Sequence, residues 1–97
     1  MSSYAESLAV LRRVIDDLNA QQISDPPLPV EEHGQLIGPG GALDSLGLVT
    51  MLVAIEDAVA AVGWKSPALL EETALFGDGA SVSVRQVAEL IRDRSAA

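Results

Sequence analysis

The chain has 97 residues, a net charge of −8, a pI near 4.3 and no cysteine. That length makes one domain with a modest core. The charge argues against nucleic acid, since little here could displace counterions from phosphates. Without cysteine there are no disulfides or thiolate metal sites, and any thioester chemistry would borrow its sulfur from a cofactor.

Helix I is expected over about residues 3 to 20. Ser2 or Ser3 can cap it, Glu6 lies near its start and Arg12-Arg13 further on. Tyr4, Leu8, Leu11, Ile15 and Leu18 recur at helical spacing and form its inward stripe. No basic flank leads into an apolar core at the N-terminus, so no signal peptide is expected, and a cytoplasmic protein is the default. No stretch is long and apolar enough to span a bilayer.

Residues 21 to 43 read as a long connection. Pro26, Pro27 and Pro29 forbid a helix through its middle, and Gly34, Gly38, Gly40 and Gly41 loosen its second half. Such a loop is functional or mobile, and faster amide exchange than in helix II is expected over residues 21 to 35. Ile23, Leu28, Val30, Leu36, Ile37 and Leu43 suggest that parts of it touch the core, with Leu36-Ile37 as the main anchor.

Helix II is expected from Ser45 to about Val62, with Asp44 as cap and Gly63 as stop. Its inward residues are Leu48, Leu52, Ile55, Val59 and Val62. Ser66 before Pro67 is a helix start signal, so a short helix III is expected through Leu69, Leu70, Glu71 and Glu72 to Thr73 or Leu75. Gly77-Asp78-Gly79 is a turn, and Ser83 with Gln86 fits a capping box that opens helix IV. Val84, Val87, Ala88 or Leu90, and Ile91 face inward there, and residues 95 to 97 fray. No strand with clean alternation is read; residues 80 to 84 alternate briefly and lead into helix IV. Gly-containing turns at 36–41 and 75–80 echo each other and are taken as two similar turns. The expected fold is all-α, a four-helix bundle with one short helix.

The chemistry converges on Ser45. A glycine-rich loop, Gly38-Pro39-Gly40-Gly41, delivers its hydroxyl to the positive end of the most apolar helix, with the Asp44 carboxylate beside it. That is a poor setting for a self-activated nucleophile and a good one for a phosphate ester. His33 is the only histidine and reads as a solvated loop residue, so neither a metal site nor a hydrolytic triad assembles around Ser45. The glycine loop lacks the lysine of a phosphate-binding P-loop.

The run Leu43-Asp44-Ser45-Leu46-Gly47-Leu48-Val49, followed by Ile55-Glu56, resembles the acyl and peptidyl carrier proteins. The resemblance covers nearly the whole order of helices and is weakest over residues 63 to 82. It implies a four-helix bundle of the acyl-carrier type, with a short helix III and a long loop between helices I and II. It implies 4'-phosphopantetheine on Ser45, with Asp44 helping the modifying enzyme to dock. A separate phosphopantetheinyl transferase would supply Mg²⁺ and base and take the group from coenzyme A. Acyl or aminoacyl groups would ride on the thiol of the arm. The domain would itself be no enzyme.

The same resemblance implies a docking face on the outward side of helix II, formed by Leu46, Thr50, Val53, Glu56 and Asp57. Its partners would be the transferase, a loading enzyme and a downstream synthase or transferase. Fatty-acid carriers have a strongly acidic helix II, whereas Gly47, Leu48 and Thr50 leave the first half uncharged here. The resemblance therefore implies a free-standing, monomeric carrier of a polyketide or non-ribosomal peptide type of pathway. The rival readings are an unmodified, carrier-like helical adaptor and, behind it, a small hydrolase using Ser45.

Overall fold

In the computed structural model the described residues are 3–22, 27–38, 43, 45–72, 75 and 81–95. Three α-helices carry the architecture: α1 (Tyr4–Ala20), α2 (Ser45–Ala61) and α3 (Val84–Arg94). Two short strands, β1 (Gln35–Ile37) and β2 (Val82–Ser83), pair antiparallel, with an irregularity between Gln35 and Ile37. A single 3₁₀ turn at Leu69–Glu71 stands where a fourth helix is expected.

α1 is set by its ends and its stripe. Ser3 accepts from the Glu6 N–H while the Glu6 carboxylate accepts from the Ser3 N–H, which closes a capping box. Leu8, Leu11, Ile15 and Leu18 are buried as their spacing requires, joined by Val14, and Tyr4 is half-buried. α1 packs against both α2 and α3 and so lies at the centre of the molecule.

α2 buries Leu48, Met51, Leu52, Ile55 and Val59. Val62 does not follow them: it is 45% exposed. The helix ends one residue before it, at Ala61, and the chain turns away through Gly63 at φ 80°. The Gly63 N–H donates to Ala60 O and the Trp64 N–H to Val59 O, the two bonds of a Schellman stop.

The expected helix III is reduced to one turn for a visible reason. Pro67 and Leu69 are both driven into the core, and Ala68 between them takes a left-handed backbone, φ 51°. A helix cannot be propagated through that geometry. Burial overrides the local Ser-Pro start signal. The strand pair is the second correction. Leu36 and Val82 are buried, and burying both lets the residues before α3 ladder against the connection. Ser83 then closes a capping box with Gln86 and starts α3, whose Val84, Val87, Ala88 and Ile91 are buried while Leu90 is half-buried.

The connection is strapped down from residue 28 onward. The Asn19 amide group donates to Leu28 O at 3.0 Å and accepts from the Leu28 N–H at 2.8 Å. Arg12 Nε donates to Val30 O at 2.9 Å, and the Tyr4 hydroxyl donates to the Glu32 carboxylate. From the other side, the Arg85 and Val84 N–H groups donate to Glu32 O and Gly34 O. Two of the donors that every helix leaves unpaired at its start are satisfied this way. Gly34 is required here, since a Cβ would stand 2.4 Å from Pro29 Cβ. Leu28 and Leu36 are buried, Ile37 and Leu43 are half-buried and Val30 is exposed. Ile23, the 77–79 turn and residues 96–97 lie outside the described residues, as do positions 39–42 of the glycine loop.

Among the described residues no helix is long and apolar enough to cross a membrane.

Candidate functional site

Ser45 is the first residue of α2. Its position is fixed through the backbone on either side. β1 is held by β2 and by the start of α3, and the Leu43 N–H returns to Leu36 O at 3.2 Å. The segment that leaves β1 is thereby brought back to it two residues before Ser45. Asp44 lies outside the described residues.

The first turn of α2 contains no acidic residue. The backbone N–H groups that begin any helix have no partner within it, and the aligned peptide dipoles add partial positive charge there. An anion attached at position 45 therefore meets the positive end of the helix dipole and no side-chain carboxylate within the turn.

The outward residues of α2 fall in three groups. Leu46, Val49 and Val53 are exposed by 76%, 40% and 44%, and their spacing puts them on one flank. At 100° per residue, positions 45, 46, 49 and 53 share an arc of roughly a quarter to a third of the helix circumference. Thr50 is exposed beside them, but its hydroxyl donates to Leu46 O at 2.9 Å. Asp57 is exposed at the edge, where it lines a groove of about 380 Å³ against α1 together with Arg13 and Asp17. The α2 wall of that groove, Ala54, Ala58 and Ala61, lies roughly half a turn around the helix from position 45.

Glu56 falls on the arc of positions 45, 46, 49 and 53 by its spacing, but its carboxylate is engaged by another element. It is half-buried, and its carboxylate accepts from the Ser66 hydroxyl and, at 3.1 Å, from the Leu69 N–H. It is the cap of the 3₁₀ turn, carried on α2. The structure thus brings Leu46, Thr50 and Val53 together next to Ser45, puts Asp57 at the margin and turns Glu56 to a structural task. Val49 belongs with the first three and was missed by the sequence reading. Its signal was available: it stands three residues after Leu46 and four before Val53.

No protein-family model, curated protein or solved structure matches this chain. What the site can do follows from its residues and their surroundings alone.

His33 is exposed, and among the described residues no group of three His, Cys, Asp or Glu side chains could hold a metal ion. Two of the perturbed titratable groups, Tyr4 and Glu32, lie at the strap; the others, Arg92 and Asp93, perturb each other through their hydrogen bond on α3. Partial burial, with the hydrogen bond to Glu32, pushes the Tyr4 phenol above its ordinary value. The same hydrogen bond holds the Glu32 carboxyl below its own. Arg85 lies over the Tyr4 ring at 5.9 Å from its centroid. These groups fasten the connection to α1 and α3.

Proposed function

We propose that this protein is a free-standing carrier that holds acyl or aminoacyl intermediates as thioesters on 4'-phosphopantetheine attached to Ser45. The observation that supports the reading most is the opening of α2. Ser45 is its first residue, after a glycine-rich segment and within the Leu43-Asp44-Ser45-Leu46 run of the carrier resemblance. The residues fit the group. A phosphodiester there is an anion at the positive end of a helix whose first turn contains no acidic residue. The exposed Leu46 and Val49 offer apolar surface beside the point of attachment.

The arm would supply the thiol that this cysteine-free chain lacks. The protein's own residues supply placement. The β1–β2 pair and the Leu43 to Leu36 bond hold the start of α2, and the buried face of α2 fixes the helix in the core. In this reading the domain is not itself an enzyme. The fold is a variant of the acyl-carrier bundle, with helix I, the long connection, helix II and helix IV retained and helix III cut to a 3₁₀ turn. Asp44 and the flank of α2 meet a phosphopantetheinyl transferase, a loading enzyme and a downstream synthase or transferase. The uncharged first half of α2 favours a polyketide or non-ribosomal peptide type of pathway over fatty-acid synthesis. The protein works as a cytoplasmic monomer.

The test is intact mass after incubation with coenzyme A, Mg²⁺ and a broad-specificity phosphopantetheinyl transferase. The reading predicts a gain of one phosphopantetheine, absent in Ser45→Ala. An unchanged mass with the fold intact favours an unmodified adaptor instead. Hydrolysis of an activated ester, lost in Ser45→Ala, would point to a hydrolase.

A further inference from the structure

We propose that the groove between α1 and α2 seats an amphipathic helix of a partner protein, one with an apolar ridge and lysine or arginine on both flanks. This partner is distinct from any enzyme that would modify Ser45, and the groove does not depend on the carrier reading. It lies roughly half a turn around α2 from position 45, so a helix seated there leaves the start of α2 open.

The shape of the groove selects a rod. Its α1 wall runs from Val10 to Gln21, about 16 Å of helix. A volume of about 380 Å³ spread over that length leaves a cross section of roughly 24 Å². That admits one row of side chains and is too shallow to enclose a small ligand. Val14 and Leu18 give it a buried apolar floor. Ala54, Ala58 and Ala61 keep the α2 wall low, so a third helix can approach to the ordinary packing distance of about 8–10 Å between axes. Val62, the apolar residue that the fold leaves exposed, borders the same groove. Side chains at i, i+4, i+7 and i+11 of a helix form a row of about 16 Å, which matches. An extended segment would need unpaired backbone groups to ladder against, and two helix walls offer none.

Charge complementarity sets the flanks of that helix. Asp17 stands on the α1 wall and Asp57 on the α2 wall. Both are exposed, and neither is ion-paired among the described residues. Arg13 is the one cation among the described lining residues, so two acids and one base leave that lining at −1. A basic helix is drawn toward a chain of −8 and meets an aspartate on either side of its apolar ridge. A second copy of this chain would bring −8 against −8 and is disfavoured by the same field.

The probe is a synthetic peptide of about 15 residues with leucine at i, i+4, i+7 and i+11 and lysine on both flanks. It is titrated into the isotope-labelled full chain and followed by amide shifts and a dissociation constant. The shifts should cluster on residues 10–21 and 54–62, and a scrambled peptide of the same composition should bind at least about tenfold more weakly. Asp17→Asn with Asp57→Asn should weaken binding about three- to tenfold. Asp16→Asn with Glu31→Gln removes the same charge from exposed positions outside the groove and should change it less than about twofold. Ala61→Tyr, at an exposed position, should fill the groove and weaken binding about tenfold or more, with a melting temperature close to the parent's. Shifts that map elsewhere, a scrambled peptide that binds as well, or equal losses in the two charge pairs overturn the proposal. So does self-association in sedimentation that Ala61→Tyr abolishes, since the groove would then belong to a second copy. None of these outcomes touches the mass gain on Ser45, so the carrier reading stands or falls separately.

Discussion

At the scale of single residues, side chains of one chemical type take different tasks according to where the helix turns them. Glu56 and Asp57 are neighbours in sequence and read alike as acids on a docking face. One is half-buried and caps a turn thirteen residues on; the other is exposed. Glu56→Ala should therefore lower stability by about 1–3 kcal/mol, because the Leu69 N–H loses its acceptor in a partly buried place. Urea unfolding reads this directly, and a midpoint unchanged from the parent would contradict the assignment. Gly34→Ala is expected to cost a similar amount, about 1–3 kcal/mol, since the new methyl meets the rigid Pro29 ring. Sequence pattern alone could not separate Glu56 from Asp57. The partner of Glu56 is a turn whose existence depends on Pro67 and Leu69 being buried.

At the scale of elements, the three long helices and the Leu36 anchor of the connection were legible, while the short third helix and the rest of the connection were not. α1 and α2 follow from stripes at steps of three and four, the start of α1 from Ser3 and Glu6, and the end of α2 from Gly63. α3 follows from the Ser83 and Gln86 box. The strand pair escaped because each strand is too short to alternate, at three and two residues. The strap escaped because its fasteners, Tyr4, Arg12 and Asn19, are polar residues of a helix whose apolar stripe drew the attention. The prolines and glycines of the connection suggested mobility, yet Leu28 and Gly34 donate to Asn19 and Glu31. Their amides should exchange slowly for a loop; exchange as fast as in a free chain would show that the strap does not hold.

The Tyr4–Glu32 bond gives this element a pH signature. The Glu32 pKa is depressed, so its contribution is present above the unfolded carboxyl value and fades as pH falls through the folded one. The Tyr4 pKa is raised, so its contribution is full below the unfolded phenol value and is lost as pH rises through the folded one. The strap is therefore firmest between the carboxylate and phenol ranges. Tyr4→Phe should reduce the acid-side loss of stability, measured as melting temperature against pH. An acid limb identical to the parent's would remove the bond from the account.

At the scale of the whole molecule, α1 joins α2 and α3, the strand pair ties the connection to the start of α3, and the start of α2 is reached from that tie. A chain of 97 residues with a net charge of −8 also works against itself. Moderate NaCl should raise its melting temperature by a few degrees, about 2–5 °C, by screening that repulsion. A fall would mean that the ion pairs of α3 outweigh it.

The most direct measurement is peptide-level fragmentation mass spectrometry after transferase treatment with coenzyme A. The account predicts the added phosphopantetheine on Ser45 and on no other residue. The group found on a different serine, or on none while the protein remains folded, would contradict it.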